Sequence, residues 1–73
     1  MSLIKRSLSL GGHATSVALE PEFWAVLEAA ATHQRQSLAS LIGEIDTARG
    51  ATPLASALRV WALHGARHGV GSC

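Results

Sequence analysis

The sequence predicts a mainly α fold with one short strand per chain. Three observations predict it. Thr15, Val17 and Leu19 alternate with Ala14, Ser16 and Ala18, the two-residue period of a half-buried strand. From Pro21 onward the apolar spacing lengthens to three and four, the period of a helix. The chain has only 73 residues, so it forms one domain at most. A strand cannot leave its backbone donors and acceptors unpaired. In so short a chain, the partner this predicts is the same strand of a second molecule.

Residues 1–12 read as an N-terminal arm. Ile4, Leu8 and Leu10 give it some extended, partly buried character. Gly11-Gly12 has two readings: a hinge between arm and strand, or a two-residue hairpin turn joining Ser7–Leu10 to His13–Ser16. The arm reading is preferred. Lys5 and Arg6 are its charges, and residues 1–19 contain no acid. An all-cationic segment suits contact with phosphate.

The first helix is predicted over Pro21–Thr32, with proline at the first position and Glu20 and Glu22 at the positive end of the helix dipole. Trp24, Leu27 and Ala31 form its apolar stripe. Thr32-His33-Gln34-Arg35-Gln36 is a polar break without glycine, so any left-handed residue there is non-glycine and costs about 1 kcal/mol. The second helix follows Ser37, an N-cap residue, with Leu38, Leu41, Ile42 and Ile45 at helical spacing and Gly50 as its stop. Thr52 and Pro53 open a third helix over residues 53–64, with Leu54, Ala57, Leu58 and Trp61 on one stripe. Residues 65–73 read as a tail. The domain proper is then 13–64. Its core or interface comprises Val17, Leu19, Trp24, Leu27, Leu38, Leu41, Ile42, Ile45, Leu58 and Trp61.

A core this small supplies only about 3–5 kcal/mol unaided. The single cysteine, Cys73, excludes an internal disulfide and fits a reducing cytoplasm. No signal peptide or apolar span of membrane length is visible. Oligomerisation is the stabiliser left. Among His13, His33, His64 and His68, the last two share an i, i+4 spacing, but no second cysteine or nearby acid completes a tetrahedral set. No metal or cofactor is expected. Cys73 has no activating neighbour, and no nucleophile–base set or glycine-rich phosphate loop is present, so no enzyme is expected.

Strand, helix, capped turn and helix, with Thr15-Ser16-Val17-Ala18-Leu19-Glu20-Pro21-Glu22-Phe23-Trp24 followed by Ser37-Leu38-Ala39-Ser40-Leu41-Ile42, resembles the ribbon-helix-helix DNA-binding domain. The likeness is greatest to a group of short bacterial proteins. It runs through Lys5-Arg6-Ser7, Gly12-His13, Ile45-Asp46, Arg49-Gly50 and Ser56-Ala57-Leu58-Arg59-Val60, covering residues 4–64.

This resemblance implies an intertwined homodimer. Two chains pair their strands into an intermolecular antiparallel β-ribbon, the helices interlock beneath it, and the third helix is an addition. The ribbon's outer face would enter the major groove of double-stranded DNA through Ala14, Ser16 and Ala18. The amides near Ser37, Leu38 and Ala39 would hold a phosphate. Alanine makes no bidentate hydrogen bond to a base, so His13, Ser16, Lys5 and Arg6 are expected to supply the polar contacts. The function implied is a cytoplasmic transcriptional regulator, a repressor acting as a homodimer. The alternative is an antitoxin-like or adaptor dimer that binds another protein through the C-terminal helix.

Overall fold

A computed structural model describes residues 2–67. The chain runs through two strands, β1 (Ile4–Leu10) and β2 (His13–Leu19), and three helices, α1 (Pro21–His33), α2 (Leu38–Ala48) and α3 (Leu54–Arg67). Residues 68–73, which hold most of the expected tail together with His68 and Cys73, lie outside the described residues.

The N-terminal segment corrects the sequence reading. Residues 4–10 are not an arm but a second strand, paired antiparallel with β2 along its whole length, from Ile4 opposite Leu19 to Leu10 opposite His13. Gly11 and Gly12 have φ values of 57° and 85°. Positive φ at both central residues is the type I′ combination, whose twist matches that of the flanking strands. The hairpin alternative for Gly11-Gly12 is therefore the one realised. It follows that β2 is not a lone strand: β1 of the same chain pairs along its whole length.

Strand parity sends Arg6, Leu8 and Leu10 of β1, with Thr15, Val17 and Leu19 of β2, toward the helices. α2 packs against β1 and α3 against β2. The indole of Trp24 on α1 is buried and donates from Nε1 to the carbonyl of Ile4 at 2.8 Å. The Arg6 guanidinium lies 4.8 Å from the Trp24 ring centroid and donates to Glu28 Oε2 at 2.6 Å. These contacts from α1 hold β1 in place.

The core is formed within one chain. Val17, Leu19, Trp24, Leu27, Leu41, Ile42, Ile45 and Leu58 are buried together, and Leu38 and Trp61 are half-buried against them. The expected dimer-interface residues thus find their burial without a second chain.

Helix ends follow the sequence closely. Glu20 opens α1 with its carbonyl accepting from the amides of Phe23 and Trp24, ahead of Pro21. Arg35 is the non-glycine left-handed residue, at φ 57°. The Gln36 amide reaches Ala31 O and the Arg35 amide reaches Thr32 O, both at 3.0 Å, a Schellman closure. Gly50, at φ 60°, ends α2. α3 departs from expectation at both ends. Pro53, not Thr52, precedes its first turn and accepts from the Ala57 amide at 2.9 Å. The helix runs through Gly65 to Arg67, three residues past the expected domain limit at residue 64 and within the Gly65–Gly69 stretch where it is expected to fade. Packing of the buried Leu58 and Ala62 outweighs the cost of about 1 kcal/mol for a helical glycine.

Candidate nucleic-acid interface

The hairpin has one face against the helices and one toward solvent. Three pairs make up the outer face: Lys5 opposite Ala18, Ser7 opposite Ser16, and Ser9 opposite Ala14. All are exposed except Ala18, which is half-buried. The Ser7 and Ser16 hydroxyl oxygens are 3.5 Å apart. A hydroxyl carries one donor and two acceptor positions, so both retain capacity for an outside partner. The face is narrow, and no side chain longer than Lys5 stands on it. A two-stranded ribbon of this kind fits a major groove about 12 Å wide.

Structure separates two residues that the sequence reading had grouped. Lys5 points outward. Arg6, one residue on, points inward and is held by Glu28 and the Trp24 ring. Arg49 and Arg59 are also engaged. Arg49 donates to Asp46 Oδ1 at 2.6 Å and to Thr52 O at 2.7 Å, closing the α2–α3 turn. Arg59 donates to Glu20 Oε1 at 3.0 Å and ties α3 to the start of α1. Hydrogen bonding to the backbone at Glu20, and then to Arg59, holds the Glu20 carboxyl below its ordinary pKa; desolvation opposes this and the Arg59 charge adds to it. Among the cations whose side chains are described, Lys5 and Arg35 are in no ion pair.

Ser37 caps α2 as expected, its hydroxyl accepting from the Ser40 amide at 3.0 Å. The first intrahelical bond runs from the Leu41 amide to Ser37 O. The amides of Leu38 and Ala39 precede it and have no intrahelical acceptor. Arg35 stands two residues before the cap. Gln34, Gln36 and Ser40 are joined by side-chain hydrogen bonds of 2.7 and 2.9 Å, which order this turn. Of the remaining expected contacts, Ala14 and Ser16 lie on the outer face, and the exposed His13 pairs with Leu10 beside the turn.

Ser7 and Ser9 were missed as interface candidates. The signal was available: a Gly-Gly turn flanked by alternating residues on both sides places every second residue of Lys5–Ser9 on one face. A groove between α2 and α3 is lined by Leu41, Ile45, Ala48, Val60 and Trp61. Val60 is 52% and Leu63 54% exposed on α3. Among the described residues no group of acids, histidines and cysteines converges to hold a metal, and no helix is long and apolar enough to cross a membrane.

A two-stranded ribbon laid over a helix pair, with a capped second helix, defines a class of DNA-binding folds. The sequence matches the profile of the ribbon-helix-helix domain across residues 3–66, and the chain belongs to that family. Neither the curated proteins nor the solved structures include a significant match.

Proposed function

We propose that this protein is a DNA-binding transcriptional regulator that lays the outer face of its β1–β2 hairpin in the major groove and represses by occupying the DNA. The observation that carries this reading is an exposed ribbon face bearing a lysine and three serines in a chain of this family. The α2 N-terminus supports it, because the Leu38 and Ala39 amides suit one phosphate oxygen and Arg35 is close in sequence. In this reading Ala14, Ser16 and Ala18 face the bases with Lys5, Ser7 and Ser9, and Ser37 orders the α2 end. The exposed His13, paired with Leu10 on the helix-facing side, reaches DNA only from beside the turn. Arg6 is reassigned to holding the ribbon. A homodimeric repressor would bring two copies of this outer face to one DNA.

Mobility shift with the DNA upstream of the protein's own gene tests the proposal. Binding should be selective over unrelated duplex and weaken steeply with salt. Ala18→Glu places a carboxylate opposite Lys5 on the outer face, and should abolish binding while the circular dichroism stays native. Retention of selective binding by this variant would refute the ribbon as the reading surface.

The second reading, a module that docks another protein, rests on the α2–α3 groove and the exposed Val60 and Leu63. Trp61→Ala should then reduce partner binding, with DNA affinity unchanged. Loss of neither activity would exclude the groove.

A further inference from the structure

We infer that α3 is a brace for DNA recognition: through Arg59 it pins the corner between β2 and α1, and so holds the strand's outer face at a set angle to the N-terminus of α2. Arg59 is then a positioning residue that touches no DNA. This role rests on the DNA-binding reading above and gives the third helix a part in it.

The corner is one residue long. β2 ends at Leu19 and α1 begins at Pro21, so Glu20 alone joins strand to helix. A proline restricts the residue before it to extended backbone, and Glu20 has φ −61° and ψ 147°. Its carbonyl accepts from the amides of Phe23 and Trp24. Its side chain makes no capping bond to α1, and glutamate is not among the residues favoured at that position. Capping therefore does not account for a glutamate here. The carboxylate goes to α3 instead, where Arg59 Nε donates to Oε1 at 3.0 Å across 39 residues of sequence. These side chains are 33% and 32% exposed, against 36% and 51% for Arg6 and Glu28, so the Glu20–Arg59 pair is the less screened of the two.

α3 is placed for this part. It packs on β2, α1 and α2. Leu58, next to Arg59, is buried in one cluster with Leu19 of β2 and with Leu41 and Ile42 of α2. The Arg49 bond to Thr52 O fastens the α2–α3 turn. One helix thus links the strand that carries Ala14, Ser16 and Ala18 to the helix that begins with Leu38 and Ala39. A strand free to rock at Glu20 would have to be ordered at each binding event, which lowers affinity without removing a contact. Arg59 lies on the helix side of the sheet, away from the outer face.

Matched substitutions in the intact chain test the brace. Arg59→Gln keeps an N–H donor where the arginine has Nε, whereas Arg59→Met keeps the length and loses the donor. Each is titrated against the duplex upstream of the protein's own gene and against an unrelated duplex, with circular dichroism as the check on folding. Arg59→Met should weaken binding to the upstream duplex about two- to thirty-fold and narrow the ratio between the two duplexes. Its salt slope should match the parent's, because no phosphate contact is lost. Arg59→Gln should bind as the parent does. Equal affinities in the two variants would reduce Arg59 to packing and overturn the inference. A shallower slope in both would mean that Arg59 meets phosphate itself, and would overturn it as well. Glu20→Met against Glu20→Gln makes the same comparison from the carboxylate side, and decides the matter if Arg59→Met does not fold. Selective binding by the parent and all variants alike would sink this inference only. Absence of selective binding by the natively folded parent would sink the DNA-binding reading with it.

Discussion

The two faces of the hairpin use neighbouring residues for opposite ends. Lys5 and Arg6 are adjacent cations, yet one is exposed opposite Ala18 and the other lies over Trp24 and against Glu28. The inner face is turned to the core: Val17 and Leu19 are buried in it, Leu8 and Leu10 pack against it, Arg6 is paired with Glu28, and the backbone accepts the Trp24 indole N–H at Ile4. The outer face carries small hydroxyls, two alanines and a single cation, and contributes little to stability. A two-residue period thus divides seven consecutive residues into a structural set and a contact set. Charge alone does not assign a residue to either.

Substitutions on the inner face should therefore be read out as stability, and those on the outer face as DNA affinity. Trp24→Ala gives the largest expected effect. It removes a buried indole, its hydrogen bond to β1 and the surface under Arg6, and should cost about 3–5 kcal/mol in chemical denaturation. In a domain this small that is most of the total. A loss below 1 kcal/mol would mean that β1 is not fastened through this residue.

Arg6→Ala should cost roughly 0.5–1 kcal/mol. The Glu28 pair is solvent-screened and contributes modestly, with the cation–π contact adding to it. The salt slope of DNA affinity should not change. Lys5→Ala should do the reverse: stability within about 0.5 kcal/mol of the parent, and a log–log salt slope shallower by about 0.9 per ribbon. Matched denaturation and salt titrations of these two variants give the sharpest test of the division. Equal slopes for both would erase it.

The smallest effect is at the corner where β2 enters α1. The Glu20 carboxyl has a lowered pKa in the folded chain, so its contribution is fully present above the unfolded value and disappears as pH falls through the folded one. Stability should decline on acidification below the ordinary carboxylate range. Glu20→Gln should remove part of that decline without altering DNA binding at neutral pH. Denaturant midpoints measured at neutral and acid pH check this. An unchanged acid dependence in Glu20→Gln would show that Glu20 does not contribute to the decline.

Much of the architecture was legible before any coordinates. Pro21, Ser37 and Gly50 marked real helix ends, because caps and stops act through bonds within one or two turns. The glycine-free break after α1 required a non-glycine left-handed residue, and Arg35 is that residue. The pattern from Thr15 to Leu19 correctly gave the buried face of β2. The α2 amides at Leu38 and Ala39 were legible as well, since a cap locates them. Of the outer positions of β1, Ser7 and Ser9 were not assigned, because that depends on whether residues 4–10 are a strand.

By itself, then, the sequence determined the helices, the parity of β2, the capped α2 end and the family. All are set by short-range spacing. Only the tertiary structure decided between a mobile arm and a hairpin, and with it the roles of Lys5, Arg6, Ser7 and Ser9. That choice balances the entropy of ordering residues 4–10 against contacts made about twenty residues away, at Trp24 and Glu28. No local pattern contains that balance. Once the two-residue turn closes, pairing within the chain carries little loop entropy and no cost of bringing a second molecule, and β2 takes its neighbour as partner.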